Sequence, residues 1–274
     1  MPTVDQNKDM FDREYDWPHA GDEWSRWWGS AEMQWHTTIL PRIHFCVPTG
    51  TILEIAPGFG RWTQFLAENC TKLVLVDLSE RCIRACEERF RAYEHISYHV
   101  NDGACLDFVP DESIDLVFSF DSLVHAEDDV IAAYLDQLAH KLTADGVGVI
   151  HHSNLGEYTD YVALLERVPW RLKKLLTDWN LLDTLEGQWR APSMTAHRFE
   201  QCANNAGLQC TSQEIMNWES RRLIDCISVF TRQESRWARK NRVSRNKHFM
   251  REAAYSAILS RLYGRQEWAV DPTP

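Results

Sequence analysis

Residues 54–60 read Glu-Ile-Ala-Pro-Gly-Phe-Gly (EIAPGFG) and lie between a β-branched run at 51–55 and a segment with helical spacing at 62–70. This order is typical of a strand, a glycine turn and a helix. Glycine adopts backbone conformations that other residues avoid, and it lets a backbone approach a ligand closely. We therefore expect residues 56–60 to form a binding loop at the end of the first strand.

A second strand-to-helix junction follows the first. The buried-strand pattern LVLVDLS (73–79) contains Asp77 near its end and leads into a helical stretch at 80–93. A carboxylate at the tip of the second strand can accept hydrogen bonds from both hydroxyls of a ribose, so the two junctions together predict a nucleoside-binding site. A nicotinamide dinucleotide is disfavoured, because position 63 is Thr where that fingerprint requires Gly or Ala.

Strand and helix patterns continue to alternate beyond this point, and near the end of the chain two strand patterns follow one another directly. Strands are predicted at 95–100, 113–122, 147–154, 208–218 and 224–231, and helices at 129–142 and 196–206. Alternation of this kind predicts a parallel sheet with right-handed crossovers and ligands at the carboxyl ends of its strands. The last two strands are expected to add an antiparallel pair at the sheet edge. The predicted fold class is α/β, with a Rossmann-like, seven-stranded, mostly parallel sheet.

Composition divides the chain into segments with different roles. We expect a Trp-rich N-terminal helical cover (1–47), a nucleoside-binding core (48–156), a helical insertion that covers the binding cleft (157–195), the end of the core sheet (196–232) and a basic C-terminal helical segment (233–274). The basic run at 232–251 is interpreted as a solvated helix face, with an acidic partner as the alternative.

The N-terminal segment holds five of the twelve tryptophans, at positions 17, 24, 27, 28 and 35. Helical spacing of the last four predicts one helix face made almost wholly of indole. Two interpretations stay open. The indoles pack against the main domain, or some of them, Trp28 included, stack on a ring-shaped ligand.

Charge and composition exclude several classes of protein. The 274 residues include 29 Lys or Arg and 40 Asp or Glu, a formal net charge of −11, which disfavours nucleic acid and basic membrane adhesion. Neither an apolar run long enough to span a bilayer nor a signal peptide is visible, so a cytoplasmic protein is expected. The eight cysteines form no C-x-x-C pair and are interpreted as reduced packing residues. A homodimer is left open.

The motifs resemble those of class I S-adenosylmethionine-dependent methyltransferases over about residues 50–155. EIAPGFG matches the first motif with Ala56 in place of its first Gly, Asp77 matches the ribose-binding acid, Asp102-Gly103 matches the acidic turn beside the adenine, and SIDLVFSFDS (113–122) matches the fourth strand. The resemblance implies S-adenosylmethionine as the cofactor. It implies donor contacts from Glu54, Ala56, Gly58, Gly60, Arg61, Trp62, Asp77, Leu78, Asp102, Gly103 and Phe120.

Three longer stretches are similar to the subgroup that methylates sugar hydroxyls, including enzymes of methylmannose polysaccharide synthesis. These stretches are LEIAPGFGRWTQFL (53–66), DSLVHAE (121–127) and IHHSNLG (150–156). The resemblance implies a saccharide acceptor, with a mannoside in polysaccharide biosynthesis as the narrower expectation. Methyl transfer to a phenol, an amine or a lipid remains open, as does a donor-binding scaffold without catalysis.

Transfer to a sugar hydroxyl needs a base, and histidine titrates near neutral pH. His151 and His152 end the fifth strand, and His125 follows the fourth, so all three are candidates. Strand alternation allows only one of His151 and His152 to point to a given face.

Asp121 is expected to orient the base, bind a substrate hydroxyl or help to hold Mg²⁺, which prefers carboxylate oxygens. The neighbouring Glu127-Asp128-Asp129 run is interpreted as a helix N-terminus, where negative charge is stabilised. The resemblance permits a metal without requiring one.

The loop at 189–195 combines aromatic and short polar side chains, a mixture that suits a sugar. Trp189, Arg190, Ser193 and Thr195 are therefore assigned to the acceptor. The alternative is that Ser193 or Thr195 caps the following helix.

Overall fold

The computed structural model describes residues 3–179, 182–183, 185 and 188–263. Its central element is an eight-stranded sheet. The strands are β1 (Thr49–Ile55), β2 (Cys70–Asp77), β3 (Ile96–Val100), β4 (Ile114–Ser119), β5 (Leu142–Ser153), β6 (Leu208–Met216), β7 (Asp225–Arg232) and β8 (Arg242–Asn246). They lie in the order β3-β2-β1-β4-β5-β7-β6-β8.

Helices cover both faces of this sheet. The α-helices are α1 (Val4–Asp9), α2 (Ala31–Gln34), α3 (Leu40–Ile43), α4 (Thr63–Leu66), α5 (Glu80–Arg89), α6 (Asp128–Lys141), α7 (Thr159–Glu166), α8 (Trp170–Asp178), α9 (Ala196–Asn205) and α10 (Phe249–Tyr263). Short 3₁₀ or π turns lie at Met10–Glu14, Asp22–Trp28, Trp35–Ile39, Ala67–Asn69, Leu123–His125 and Leu155–Tyr158. No helix in these described ranges is long and apolar enough to cross a bilayer.

Strands β1 to β5 are parallel, whereas β7 runs antiparallel to both β5 and β6. The carboxyl ends of β1, β2, β4 and β5 therefore meet at one edge of the sheet, where α/β folds bind ligands. The α/β fold class and the parallel core predicted from the sequence are confirmed.

Two apolar layers hold the sheet between its helices. On one face Trp28, Ile83 and Phe249 pack with residues of the strands. On the other face the side chains come chiefly from α6 and α9, with Leu135 and Phe199 fully buried. Both layers are continuous with β5, whose successive side chains alternate between them.

The sheet has eight strands, so the predicted seven is wrong. The additional strand, β8, lies inside the basic run for which the sequence predicts a helix face. It pairs in parallel with β6. Nearly all of β8 is exposed, and its charged side chains are those of a protected edge strand. Such a strand lacks the apolar alternation by which strands are recognised. Of the basic segment, residues 264–274 lie outside the described residues.

The single indole-faced helix predicted at the N-terminus is also wrong. Gly29, with φ of +89°, ends the turn Asp22–Trp28, and the Ser30 side chain then caps α2. The tryptophans consequently separate. Trp28 and Trp35 are buried in the core, while Trp24 remains substantially exposed.

Candidate active site

A cavity of about 770 Å³ opens at the carboxyl ends of the parallel strands. Its floor is formed by the loop after β1, the end of β2 and the segment after β4, and its cover by the N-terminal residues 3–26. Gln188, Trp189 and Arg190 complete one wall. This volume is within the range of small-molecule sites.

The loop after β1 turns through left-handed backbone conformations. Ala56 has φ of +58°, Gly58 +58° and Gly60 +86°. A Cβ on Gly58 would lie 2.7 Å from the Trp17 ring, and one on Gly60 would collide with Phe90. Ala56, Pro57 and Gly58 line the cavity, whereas Gly60 contributes only the turn and close packing.

Asp77 lies on the cavity wall beside this loop. One carboxylate oxygen accepts the Gly58 N–H at 3.2 Å, and the other accepts the Ser79 N–H at 2.9 Å. Burial raises the pKa of Asp77 to about 7, although these two N–H groups oppose the rise. Each oxygen retains a second lone pair, so the group is able to accept further hydrogen bonds from a ligand. Leu78 and Gly103, both assigned to the donor, line the same cavity.

Two acids assigned to the donor do not line this cavity. Glu54 is buried beneath the loop, where it accepts a hydrogen bond from Thr63, and burial raises its pKa to about 8. Asp102 is exposed and accepts the N–H groups of Ala104 and Cys105, which lower its pKa. The structure thus gives both carboxylates a role in shaping the loops.

Arg61 and Asp121 form a buried ion pair in the cavity wall. Arg61 Nη2 donates to Asp121 Oδ2 at 2.8 Å, and both side chains are at most 10% exposed. Arg61 Nη1 is buried and has no hydrogen-bond partner among the described residues. Asp121 has φ of +65°, a strained backbone for this residue type.

Trp62 and Phe120 line the cavity behind this pair, and their rings meet edge to face. The Trp62 indole N–H donates to the Phe120 carbonyl at 3.3 Å. Their assignment to the donor stays a prediction.

His125 is the candidate base that lines the cavity. Its Nδ1 is hydrogen-bonded to the Trp189 carbonyl. Because a carbonyl only accepts, Nδ1 must carry the proton, and the neutral ring then presents an unprotonated Nε2. Burial, assisted by the charge of Arg190, lowers the pKa of His125 to about 4.

His151 is fully buried behind Phe120 and Trp218 rather than on the cavity wall. Its Nδ1 accepts the Asp121 N–H at 3.1 Å, which places the ring proton on Nε2. That Nε2 lies 3.6 Å from Asp225 Oδ2. His151 therefore supports the backbone of Asp121, and its ring is buried away from the cavity lining.

Asp225 is the fully buried centre of this support. Arg190 Nε and Nη2 donate to its two oxygens at 2.8 and 3.2 Å. Desolvation by burial raises the pKa of Asp225, but the neighbouring Arg190 and His151 outweigh it and lower that pKa to about 2. Arg190, assigned to the acceptor, does line the cavity, but this pairing fixes its guanidinium in place.

His152 points to the opposite face of the sheet. Its ring stacks on Phe199 at 4.3 Å, Nε2 is bonded to the Ser228 hydroxyl, and burial lowers its pKa to about 3. The structure does not bring His152 to the cavity, because alternate residues of β5 face opposite layers.

Three residues assigned to the acceptor have structural contacts instead. Trp28 is fully buried against Trp218 and Phe249, and its indole N–H donates to Thr38. Ser193 bonds Glu127 and accepts the Asp128 N–H at the start of α6.

Thr195 caps α9 by accepting the Arg198 N–H, which is the alternative that the sequence left open. The helix-start interpretation of the acidic run is likewise confirmed, since α6 begins at Asp128. Trp189, the other acceptor candidate besides Arg190, also lines the cavity.

The side chains present do not fit a divalent cation. In the part of the chain that the structure describes, no group of three His, Cys, Asp or Glu side chains is arranged to hold a metal ion. Asp121, the residue assigned to Mg²⁺, already carries the Arg61 cation.

The sequence left open that indoles of the N-terminal cover reach a ligand, but it did not identify which N-terminal residues line this cavity. Phe11, Tyr15, Trp17, Trp24 and Arg26 all line it. The Trp17 ring stacks on Phe59 with centroids 4.5 Å apart, which attaches the cover to the glycine loop. The concentration of tryptophan was the available signal, but periodicity could not show which rings face inward.

We expect Ala56→Gly to stabilise the protein by about 1 kcal/mol, since an L-residue in the left-handed region is strained and Gly is not. Urea unfolding measures the change. Gly207→Ala is the matched control. Gly207 has φ of +79° with open space around it, so replacing it with Ala should destabilise the protein through backbone strain alone. A lower midpoint for Ala56→Gly would contradict the strain.

Asp225→Asn should destabilise the protein by about 3–5 kcal/mol, because it leaves Arg190 buried without its charged partner. The depressed pKa of Asp225 means that its ionised form contributes stability above the ordinary value of 3.8, and that this contribution is lost as the pH falls toward 2. Unfolding curves at pH 7 and at lower pH test both points. Equal loss at every pH would argue against an ionic origin.

Comparison with known proteins places the cavity in a wider context. Residues 52–146 match a protein family described as a methyltransferase domain. No curated protein matches this sequence. Among solved structures, the PH0226 protein of Pyrococcus horikoshii OT3 is 18% identical, with 82% of this chain and 95% of that chain covered and a TM-score of 0.54.

A putative S-adenosylmethionine dependent methyltransferase from Listeria monocytogenes is 17% identical, with 74% and 99% of the two chains covered and a TM-score of 0.51. The chain in the DhpI–SAH complex is 16% identical, with 84% and 94% covered and a TM-score of 0.50. The fold is that of the class I methyltransferases, and residues 52–146 of the chain match a methyltransferase domain.

Proposed function

We propose that this protein transfers the methyl group of S-adenosylmethionine to a saccharide hydroxyl and that His125 accepts the hydroxyl proton. The proposal rests on one observation. Gly58, Asp77 and His125 line the same cavity. Donor-holding groups and a candidate base therefore face a common space, as displacement at a bound methyl group requires.

The residues around the loop fit the donor. The remaining lone pairs of Asp77 suit ribose hydroxyls, and the left-handed turn at Gly58 allows close approach of a ligand to the backbone. The unpartnered, buried Arg61 Nη1 suits a carboxylate such as that of the methionine moiety. When bound, the donor supplies an electrophilic methyl group on a sulfonium.

His125 suits the proton-accepting role because its tautomer is set by the Trp189 carbonyl. Nε2 takes the hydroxyl proton as the new C–O bond forms and the C–S bond breaks. A base of low pKa suffices for this step, since a hydroxyl oxygen becomes strongly acidic as it gains a methyl group. Asp121 favours the resulting imidazolium, because its charge raises the pKa of His125 against the opposing effect of burial.

Further residues of the cavity lining favour a saccharide. Trp24 and Trp189 offer aromatic faces, and Glu23, Arg26 and Glu219 add polar groups to the same lining. Aromatic faces with several polar partners suit the alternating apolar and hydroxyl surfaces of a sugar. A mannoside in polysaccharide synthesis is the narrower form of this proposal.

The function is tested by measuring adenosylhomocysteine release with mannosides, other sugars, phenols and amines as acceptors. Turnover with sugars is expected, and donor binding by calorimetry should weaken about 10- to 100-fold in Asp77→Asn, which removes a charged acceptor. Asp102→Asn is the control, because that carboxylate is exposed and does not line the cavity. Donor binding without turnover on any acceptor would support a scaffold instead, and turnover on phenols or amines alone would replace the saccharide.

His125→Asn should lower kcat by about 10²–10⁴-fold while leaving adenosylhomocysteine affinity within a few-fold, since the Asn amide keeps the donor to Trp189 and lacks Nε2. The wild-type kcat should rise with pH through about 4 and then level off, because the neutral ring is the active form. His140→Gln, on the exposed surface of α6, serves as the control. Unchanged kcat in His125→Asn would remove this residue as the base.

A further inference from the structure

Helix α8 turns an apolar stripe toward solvent. Leu172, Leu175, Leu176 and Trp179 recur at helical spacing, and Leu172, Leu175 and Trp179 are 46%, 44% and 66% exposed. Trp170 at the other end of the helix is 69% exposed, and Leu164 of α7 is 59% exposed. Large apolar side chains clustered on one surface mark an interaction site.

The same helix is cationic in an acidic protein. Arg171, Lys173 and Lys174 accompany one acid, Asp178, which pairs with Lys174 at 3.0 Å and leaves the helix with a net positive charge, whereas the whole chain has a formal net charge of −11. Arg167 immediately precedes the helix and is also exposed. An apolar stripe with flanking cations and tryptophan at both ends is typical of helices that lie in the plane of a membrane interface.

We propose that α8 docks this protein on the surface of an anionic lipid bilayer. The apolar stripe would enter the boundary between headgroups and acyl chains, and the cations would contact the lipid phosphates and carboxylates. The contact is shallow and reversible.

Size favours a bilayer over a second protein. A nine-residue helix is about 13 Å long and about 10 Å wide, which gives a footprint on the order of 150 Å². A stable protein interface needs about 800 Å² from each partner. A bilayer requires no matching surface, so a few inserted side chains are enough for weak binding.

The position of α8 gives this contact a consequence for the cavity. Eight residues, hence nine Cα-to-Cα steps, separate Trp179 from Gln188, which lines the cavity together with Trp189 and Arg190. Even a fully extended connection of this length spans at most about 32 Å. Docking through α8 would therefore hold the acceptor side of the cavity near the lipid surface.

The experiment is co-sedimentation of the full chain with vesicles of phosphatidylcholine alone or mixed equally with phosphatidylserine. Binding is expected on the mixed vesicles and should weaken as salt is added, since exposed charges are screened. Leu175→Glu should reduce the partition coefficient about tenfold or more. Arg167→Gln with Arg171→Gln, two exposed cations around the start of α8, should reduce it several-fold on the anionic vesicles only.

The matched control is Ile258→Glu, which places the same charge at a similarly exposed apolar position on α10. It should bind vesicles as the wild type does, and melting temperatures should show that all variants are folded. Light scattering separates a bilayer from a second copy. A wild type that ignores anionic vesicles, or a dimer that Leu175→Glu converts to monomers without any vesicle binding, would overturn the proposal.

Discussion

The hydrogen bond from the Gly58 N–H to Asp77 joins the ends of the first two parallel strands, and the rest of the cavity depends on it. It requires the backbone after β1 to turn sharply, which brings Ala56 and Gly58 into the left-handed region. That turn packs against Trp17, so the N-terminal cover is positioned by the loop that it covers. A steric constraint on a few main-chain residues thereby sets the shape of a much larger site.

A second support lies behind the cavity wall and is ionic. Asp225 on β7 holds Arg190 and lies beside His151, and His151 in turn accepts the backbone N–H of Asp121. A buried charge with good partners costs less than the same charge alone, so these groups are mutually dependent. Through them the antiparallel strand β7, far from the glycine loop in sequence, fixes the strained backbone of Asp121. The fold therefore stabilises a strained residue at the edge of the cavity by contacts from outside it.

The sequence was sufficient for the parallel core because its strands are buried on both faces and its glycine turn has a strict local requirement. It was insufficient where the outcome depends on long-range contacts. Alternation shows that His151 and His152 face opposite ways, but only the packing of Phe199 and Phe120 shows that neither reaches the cavity. Ser193 and Thr195 are chemically suited both to a sugar and to a helix start, and the helix positions decide between them. Strand β8 was missed because a charged edge strand lacks the apolar alternation of a buried one.

His125 emerges from these constraints as the group whose environment is suited to change its charge. In the proposed reaction the donor loses a positive charge as it becomes a thioether and the imidazole gains one, so the total charge within the cavity would be conserved. Arg190 disfavours that imidazolium and Asp121 favours it. Asp225 pairs with Arg190, and Arg61 pairs with Asp121. The effect of each neighbouring charge on His125 is therefore opposed by the charge of that neighbour's own partner. The lowered pKa keeps His125 neutral over the physiological pH range, as the proposed role requires, and burial, rather than any one neighbouring charge, is the main reason.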